Sequence, residues 1–161
     1  MQYTLGFVKF NNNNLLIHNN VGRFENKFNG IGGHLLDNEK PIDGLIREIK
    51  EKSGLNVIEE IIKPEGTLKF QTDHSPHDTV YIYSVILNDQ SQEIVASEKG
   101  EILCFSDADV CNPENRDRFA PAVAYMFYNC FKDEVWSYKI LYESKNNSMS
   151  IVEIMKDEKC K

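Results

Sequence analysis

The strongest hydrophobic periodicity in this sequence lies between residues 41 and 54. Its apolar members recur at i, i+3, i+4 and i+7, the spacing of one helix face: Ile42, Leu45, Ile46 and Ile49. Pro41 suits the first helical turn, where its missing N–H would have no partner, and Gly54 suits a left-handed C-cap. At about 100° per residue, Glu48 and Lys52 share one flank of the apolar stripe and Glu51 lies just beyond. The pattern predicts a helix that buries one face and gathers carboxylates along its edge.

Most of the remaining chain consists of short apolar segments separated by polar turns. Strands are predicted at residues 3–10, 15–18, 80–87 and 100–105, and β structure at 55–70 around a turn at 64–66. Polar loops are predicted at 19–28 and 88–99, and a turn at 112–114. Asparagines occupy positions 11–14 and predict a tight turn, because Asn tolerates left-handed φ.

The C-terminal third completes the predicted architecture. An apolar helix is predicted at 119–131, followed by a β-hairpin with strands at 135–143 and 149–155 joined at Asn146 and Asn147. No internal repeat or linker interrupts the chain. The alternation of strands and helices predicts an α/β fold, with a mixed sheet between helices, in a single domain of residues 1–161.

Composition and charge narrow the classes of function. The chain has 161 residues, of which 41% are hydrophobic and 27% charged, values typical of a soluble globular protein. A net charge of −7 argues against polymeric nucleic acid as a partner, because phosphate binding needs a basic patch. No segment reads as a signal peptide or membrane span, so we expect a cytoplasmic protein without a membrane partner, monomeric or homodimeric.

Two groups of potential ligands favour ordinary structural roles. The cysteines lack CxxC spacing, and apolar surroundings predict buried thiols for three of the four: Cys104, Cys111, Cys130 and Cys160. His74 and His77 suggest a metal site, but Pro76 prevents a helix from aligning their imidazoles and no third ligand follows at a characteristic spacing. We therefore predict a surface loop bordering a substrate pocket. Arg23 and Lys27 are interpreted as solvated loop charges.

Residues 33–55, GHLLDNEKPIDGLIREIKEKSGL, resemble the Nudix box. That pattern is Gly-x5-Glu-x7-Arg-Glu-U-x-Glu-Glu-x-Gly-U, in which U is aliphatic. Every defined position matches except the last glutamate, where this chain has Lys52. The resemblance covers about residues 3–140 and implies a Nudix-type α/β/α sandwich with a mixed central sheet. The C-terminal β-hairpin, at about 135–155, is then an extension of that fold.

The resemblance also implies roles for individual residues. It implies Mg²⁺ as cofactor, with Mn²⁺ as a substitute, and these metal ligands: Gly32 through its carbonyl, Glu48, Glu51 and Glu101. Glu98 is the alternative to Glu101, and either of them or Glu48 orients or deprotonates the attacking water. Arg47 also belongs to the implied catalytic set, while Glu39 pairs with Arg47 to brace the loop and Gly54 ends the helix. We add Lys52 to the catalytic candidates on its own charge, which could supply part of the missing positive charge to the phosphates.

Further residues are implied to contact the substrate. Gly33 allows close backbone approach to a phosphate or ion. The segment Asn29-Gly30-Ile31-Gly32-Gly33 is similar to the branch that acts on damaged purine nucleoside triphosphates, which gives Asn29 a contact with the base. A turn asparagine is the competing interpretation. Asn115, ahead of the second helix, is the other implied base contact, with Arg116 and Asp117 as weaker neighbours.

Lys52 leaves two functions open. The Lys52 ammonium would repel a nearby metal ion. Its position four residues after Glu48 on the helix predicts an ion pair between these two side chains. The protein either uses fewer metal ions, with Lys52 supplying positive charge, or is a slow enzyme that depends on Glu51 and Glu101, or binds without hydrolysis. Under the first two alternatives the protein is an enzyme, and we expect Mg-dependent hydrolysis of a nucleoside diphosphate linked to another moiety. The specific reaction that we expect is hydrolysis of a nucleoside triphosphate to monophosphate and pyrophosphate. The alternative is a nucleotide-binding or protein-interaction module.

Overall fold

The computed structural model describes residues 1–20, 24–72, 78–95, 97–131, 134–143 and 148–158. Its strands are β1 (Gln2–Phe10), β2 (Asn13–His18), β3 (Phe28–Asn29), β4 (Ile31–His34), β5 (Ile62–Thr72), β6 (Asp78–Leu87), β7 (Ile102–Phe105), β8 (Glu134–Glu143) and β9 (Ser148–Glu158). Helix α1 (Pro41–Ser53) is the long helix, and α2 (Asp107–Cys111) is short. Glu59–Ile61 and Pro113–Arg118 are 3-10 helices, and the last helical segment comprises Ala122–Met126 in π form and Phe127–Asn129 in 3-10 form.

The strands form one mixed sheet. Its order is β3-β2-β1-β6-β5-β8-β9, with β4 paired to β1 and β7 paired to β2 outside that path. The β1–β6 and β5–β8 pairs are parallel, and the other pairs are antiparallel. Leu5 lies opposite Gly32 and Thr4 opposite Gly33. The start of the chain is thus packed directly against the glycine pair that precedes α1.

Alternating side chains of β1 separate two apolar cores. Phe7 packs in the core that contains Met126 of the last helical segment, whereas the next residue, Val8, packs with Leu45 and Ile49 of α1. Helical layers therefore lie on both faces of the sheet. The predicted α/β class, with a mixed sheet between helices, is confirmed.

The turn predicted at 64–66 is wrong. Pro64, Glu65 and Gly66 lie inside β5, where the register against β6 shifts between Pro64 and Gly66. The φ of 129° at Gly66 marks a β-bulge rather than a chain reversal. The bulge coincides with a buried carboxylate: Glu65 accepts hydrogen bonds from the Ser84 hydroxyl at 2.7 Å and from the Phe131 N–H at 3.2 Å.

The second helix is shorter than the predicted range 119–131. Phe119 forms a β-bridge with Phe28, and the Ala120 N–H donates to the Phe28 carbonyl at 2.8 Å, so these backbone groups pair outside a helix. Helical structure begins at Pro121 and ends at Asn129. Phe28 lies at the end of a segment predicted to be a polar loop, but it belongs to β3 through its pairing with His18 of β2.

The prediction that three of the four cysteines are buried is wrong, because two of the four are exposed. Cys104 and Cys111 are exposed, and Cys130 is buried. On β7 it is Phe105 that enters the apolar core, and on α2 it is Val110.

Both predicted hairpins are present. The tight asparagine turn is confirmed, with φ values of 47° at Asn11 and 69° at Asn12. The C-terminal hairpin is confirmed as the antiparallel pair β8–β9. Predictions for Arg23, residues 73–77, Asn146, Asn147 and Cys160 fall outside the described ranges. Within those ranges, no helix has the length and apolar character needed to cross a bilayer.

Candidate active site

Helix α1 is anchored through its apolar stripe and leaves its charged flank beside β4. Leu45 and Ile49 have no exposed surface. Gly54 has a φ of 76°, and its N–H donates to the Lys50 carbonyl at 2.9 Å, so the predicted left-handed C-cap is confirmed. The buried stripe and the capped C-terminus fix the position of the helix. They therefore also fix the backbone positions of four charged residues on two successive turns: Arg47, Glu48, Glu51 and Lys52.

Arg47 joins the loop before α1 to the helix. Its Nε and Nη2 atoms donate to the two carboxylate oxygens of Glu39 at 2.8 and 2.9 Å, a bidentate pair. Nη2 also donates to the His34 carbonyl at 3.0 Å, and Nη1 donates to Glu48 Oε1 at 2.8 Å. Glu39 in turn accepts the Leu36 N–H at 2.9 Å. One guanidinium thus fixes the loop, the end of β4 and a second carboxylate.

These contacts shift the ionisation of both partners. The hydrogen bonds from Arg47, followed by the Leu36 N–H, lower the pKa of Glu39 to about 2 from 4.5. The hydrogen bond with Glu39 raises the pKa of Arg47 above its ordinary value. A depressed carboxylate pKa means that the ionised form stabilises the fold.

We expect the fold to lose this contribution in acid. Because Glu39 ionises near pH 4.5 when unfolded and near pH 2 when folded, its contribution is complete above about pH 5 and is lost between about pH 4.5 and 2. The pair borders solvent, so we expect about 1–2 kcal/mol. Urea unfolding of the protein and of Glu39→Gln should show a gap in free energy at pH 7 that shrinks by pH 3. An unchanged gap at pH 3 would contradict the assignment.

Glu48 and Glu51 differ in their access to solvent. Glu48 is 7% exposed. A Cβ on Gly33 would lie 2.5 Å from Glu48 Oε1, so the glycine is required for the close approach of strand and carboxylate. The Glu51 side chain is 45% exposed, and its Oε2 lies 3.5 Å from Arg47 Nη1. Glu51 is therefore the box carboxylate that is open to an incoming ligand.

Lys52 links α1 to β4. Its ammonium donates to the Gly32 carbonyl and lies 3.2 Å from Glu48 Oε2, and its side chain is 18% exposed. The ion pair with Glu48 that the i+4 spacing predicts is present. The resemblance implies that the Gly32 carbonyl and Glu48 hold a metal ion. In the structure both contact the Lys52 ammonium.

The residues present do not fit a resident metal ion at this point. An ion between Gly32 and Glu48 would have to displace Lys52, and the other Glu48 oxygen already accepts from Arg47. In the part of the chain that the structure describes, no three His, Cys, Asp or Glu side chains form a metal-binding group. The expected set of Glu48, Glu51 and Glu101 is therefore not assembled around one point.

Glu101 and its alternative Glu98 lie elsewhere. Both are exposed and line a second cavity of about 430 Å³, which Lys52 also lines. The Glu101 carbonyl accepts the His18 N–H at 2.8 Å, because the chain joins the sheet there just before β7. Lys52 is the residue of the box that lines this cavity.

The main cavity adjoins the glycine pair. It has a volume of about 440 Å³, and its lining includes the glycine pair, Lys52 and several apolar side chains. The apolar lining includes Leu5, Phe24, Leu68 and Val80. A mostly apolar pocket of this size with a few polar groups suits a small organic ligand.

The structure places one of the two implied base contacts in this pocket. Asn29 lines it, and its Oδ1 accepts the Gly30 N–H at 2.9 Å, so the side chain also has the turn role. Asn115 is not among the lining residues. It lies in the 3-10 helix Pro113–Arg118, where its amide donates to the Asp109 carbonyl at 3.0 Å. Pro121 and Ala122 reach the pocket in its place.

Sequence reasoning missed the contribution of β1 and β6. Tyr3, Thr4 and Asp78 line the pocket, as does His34, whose ring lies 4.3 Å from that of Tyr3. The Thr4 hydroxyl is buried and has no hydrogen-bond partner in the described structure. Period-2 alternation shows which residues of β1 share a face, but it does not show that β4 and β6 flank the strand.

The fold matches solved MutT and Nudix structures. The MutT protein of Bacillus halodurans superposes with a TM-score of 0.74 at 15% identity, over 97% of each chain. MutT of Methanosarcina mazei Go1 gives 0.64 at 14% identity, over 80% of this chain and 90% of that one. An Ap4A hydrolase of C. elegans gives a TM-score of 0.61 at 13% identity, over 80% of this chain and 93% of that one.

No protein-family model and no curated protein sequence matches the chain. At these identities the structural matches establish the architecture. The chain therefore has the α/β/α fold of MutT and Nudix proteins, as the box predicted. The match to the Bacillus protein covers nearly the whole of both chains.

Proposed function

We propose that this chain is a Nudix hydrolase that cleaves a nucleoside diphosphate linked to another moiety, most specifically a nucleoside triphosphate to monophosphate and pyrophosphate. The observation that carries the proposal is the arrangement of the box: Arg47 fixes Glu39 and Glu48, and the glycine pair opens onto a cavity of about 440 Å³. The structural relatives include MutT proteins and an Ap4A hydrolase. In this proposal the partner is a small nucleotide.

We assign the base and the phosphates to different residues of this pocket. The base occupies the apolar part near Phe24, with Asn29 offering its amide, and the phosphates extend towards Gly33 and Lys52. Glycine backbone permits close approach of phosphate oxygens. A positive group beside the phosphates offsets the negative charge that repels an incoming water.

The substrate in this proposal is the magnesium complex of the nucleotide, or its manganese complex. Mg²⁺ prefers phosphate oxygens, water and one or two carboxylates, so a nucleotide brings most of its own coordination. Glu51 is the carboxylate that faces solvent, since Glu48 is bound by Arg47 and Lys52. We therefore assign to Glu51 the role of orienting the attacking water or the substrate's ion.

Activity assays on a nucleotide panel with Mg²⁺ test the proposal. We expect the protein to release pyrophosphate or a nucleoside monophosphate, and Glu51→Gln to lower kcat/KM by at least about tenfold. Glu60→Gln, which makes the same change at an exposed glutamate of the 3-10 helix Glu59–Ile61, should stay within about twofold. Equal activity of Glu51→Gln and Glu60→Gln would exclude the role given to Glu51.

The second function is nucleotide binding without hydrolysis. It is favoured by the contact of the Lys52 ammonium with both Gly32 and Glu48, the groups implied to hold an ion. Absence of turnover across the panel, together with a nucleotide-dependent rise in Tm, would establish the binding function in place of the enzyme. Turnover that is lost in Glu51→Gln would exclude it.

A further inference from the structure

We propose that the Lys52 ammonium is the resident cation of this site and substitutes for a divalent ion between β4 and α1. Two oxygen atoms from separate elements, the Gly32 carbonyl oxygen and Glu48 Oε2, converge on its Nζ, which donates to the Gly32 carbonyl. Oxygen donors of these two kinds are the usual ligands of hard cations. The position that they define is occupied by a group that the chain itself supplies.

Burial makes this ammonium more than a surface charge. The Lys52 side chain is 18% exposed and that of Glu48 is 9% exposed. Moving Lys52 into solvent to admit an ion would leave the buried Glu48 with Arg47 alone and remove a donor from the Gly32 carbonyl. Leaving buried polar groups without partners is unfavourable, so an entering ion competes against a contact already made.

The charge balance of the cluster points in the same direction. The cluster consists of three carboxylates and two cations joined by ion pairs: Glu39, Glu48, Glu51, Arg47 and Lys52. One excess negative charge attracts a divalent ion weakly. A glutamate at position 52 would give four carboxylates and one cation, which changes the attraction by two charges at short range.

Two consequences follow. The nucleotide-free protein binds Mg²⁺ or Mn²⁺ weakly, and the joint between β4 and α1 holds without metal. The bearing on catalysis rests on the proposed function, because a site with a built-in cation needs only the ion carried by the nucleotide. Ion binding by the nucleotide-free protein does not depend on hydrolysis, so it can be measured whether or not that function is correct.

Titration with MnCl₂, followed by electron paramagnetic resonance of the unbound ion, tests the proposal on the nucleotide-free protein. We expect Lys52→Glu to bind Mn²⁺ at least about tenfold more tightly than the unaltered protein. The matched control is Lys50→Glu, the same charge change on an exposed residue of α1. It should bind like the unaltered protein, and Glu48→Gln combined with Lys52→Glu should abolish the gain.

Thermal unfolding supplies a second readout. We expect the Tm of the unaltered protein to be the same in EDTA and in MnCl₂, and that of Lys52→Glu to be lower in EDTA and to recover with Mn²⁺. If Lys52→Glu fails to fold under either condition, Lys52→Gln decides the question, since it removes the charge and keeps a donor for Gly32. A Mn²⁺ affinity of Lys52→Gln no higher than that of the unaltered protein would overturn the proposal, as would an equal gain in Lys50→Glu.

Discussion

Replacing Arg47 with alanine is expected to lower the free energy of unfolding by about 2–4 kcal/mol. The Arg47 side chain is 25% exposed, and its guanidinium contacts Glu39, Glu48 and the His34 carbonyl at distances of 2.8–3.0 Å. Its removal leaves two carboxylates of one cluster without their main cation. Much of the loss therefore comes from the groups left behind rather than from the missing contacts themselves.

Urea denaturation at pH 7 measures this effect, and Arg47→Lys separates charge from geometry. Lysine keeps the positive charge but cannot reproduce the bidentate contact with Glu39. We therefore expect the free energy of unfolding of Arg47→Lys to lie between that of the unaltered protein and that of Arg47→Ala. A loss below about 0.5 kcal/mol in Arg47→Ala would show that the cluster behaves as an ordinary exposed ion pair.

Gly32→Ala is expected to have an effect of comparable or larger size, about 3 kcal/mol or more. A Cβ at this position would lie 2.0 Å from the Thr4 carbonyl oxygen and 2.7 Å from the Leu5 Cα. Both are backbone atoms of β1, in the middle of the sheet, so the strand itself would have to move. The measurement is the shift of the urea midpoint, or loss of soluble protein on expression.

The neighbouring substitution, Gly33→Ala, is the matched comparison. Its Cβ would meet the carboxylate of Glu48, with 2.5 Å to Oε1, and that side chain can rotate away. We expect a loss of only about 1–2 kcal/mol, because Glu48 would give up hydrogen bonds rather than displace a strand. Equal losses for the two variants would indicate that β1 adjusts more easily than this packing suggests.

The local sequence pattern was sufficient to predict the elements that are determined by interactions between residues close in sequence. The apolar stripe of Ile42, Leu45, Ile46 and Ile49, with Pro41 before it and Gly54 after it, predicted α1, since periodicity and capping act within a few residues. The asparagine turn and the C-terminal hairpin followed for the same reason. Pro64 and Gly66 were misread as a turn because a bulge is defined by the strand beside it, here β6.

A long-range bridge and a short-range side-chain contact account for the remaining differences. The helix predicted from residue 119 starts two residues later, because Phe119 forms a bridge with Phe28. Asn115 was expected at the pocket, but its amide donates to Asp109 instead. The bridge has no sequence signature, because its two residues are brought together only when the sheet is assembled. The Asn115 contact spans six residues and follows from the local fold of α2 and the 3-10 helix after it.

The sequence by itself determined the α/β class, the box helix and the unusual presence of Lys52 among carboxylates. It could also place Lys52 one helical turn from Glu48, since that spacing is fixed within α1. Only the tertiary structure decided that the ammonium also reaches Gly32, because that carbonyl lies on β4 and is held there by pairing with β1. The sequence shows Lys52 only as a substitution in the box. The approach of β4 to α1 places its ammonium between two oxygen atoms, one from each element.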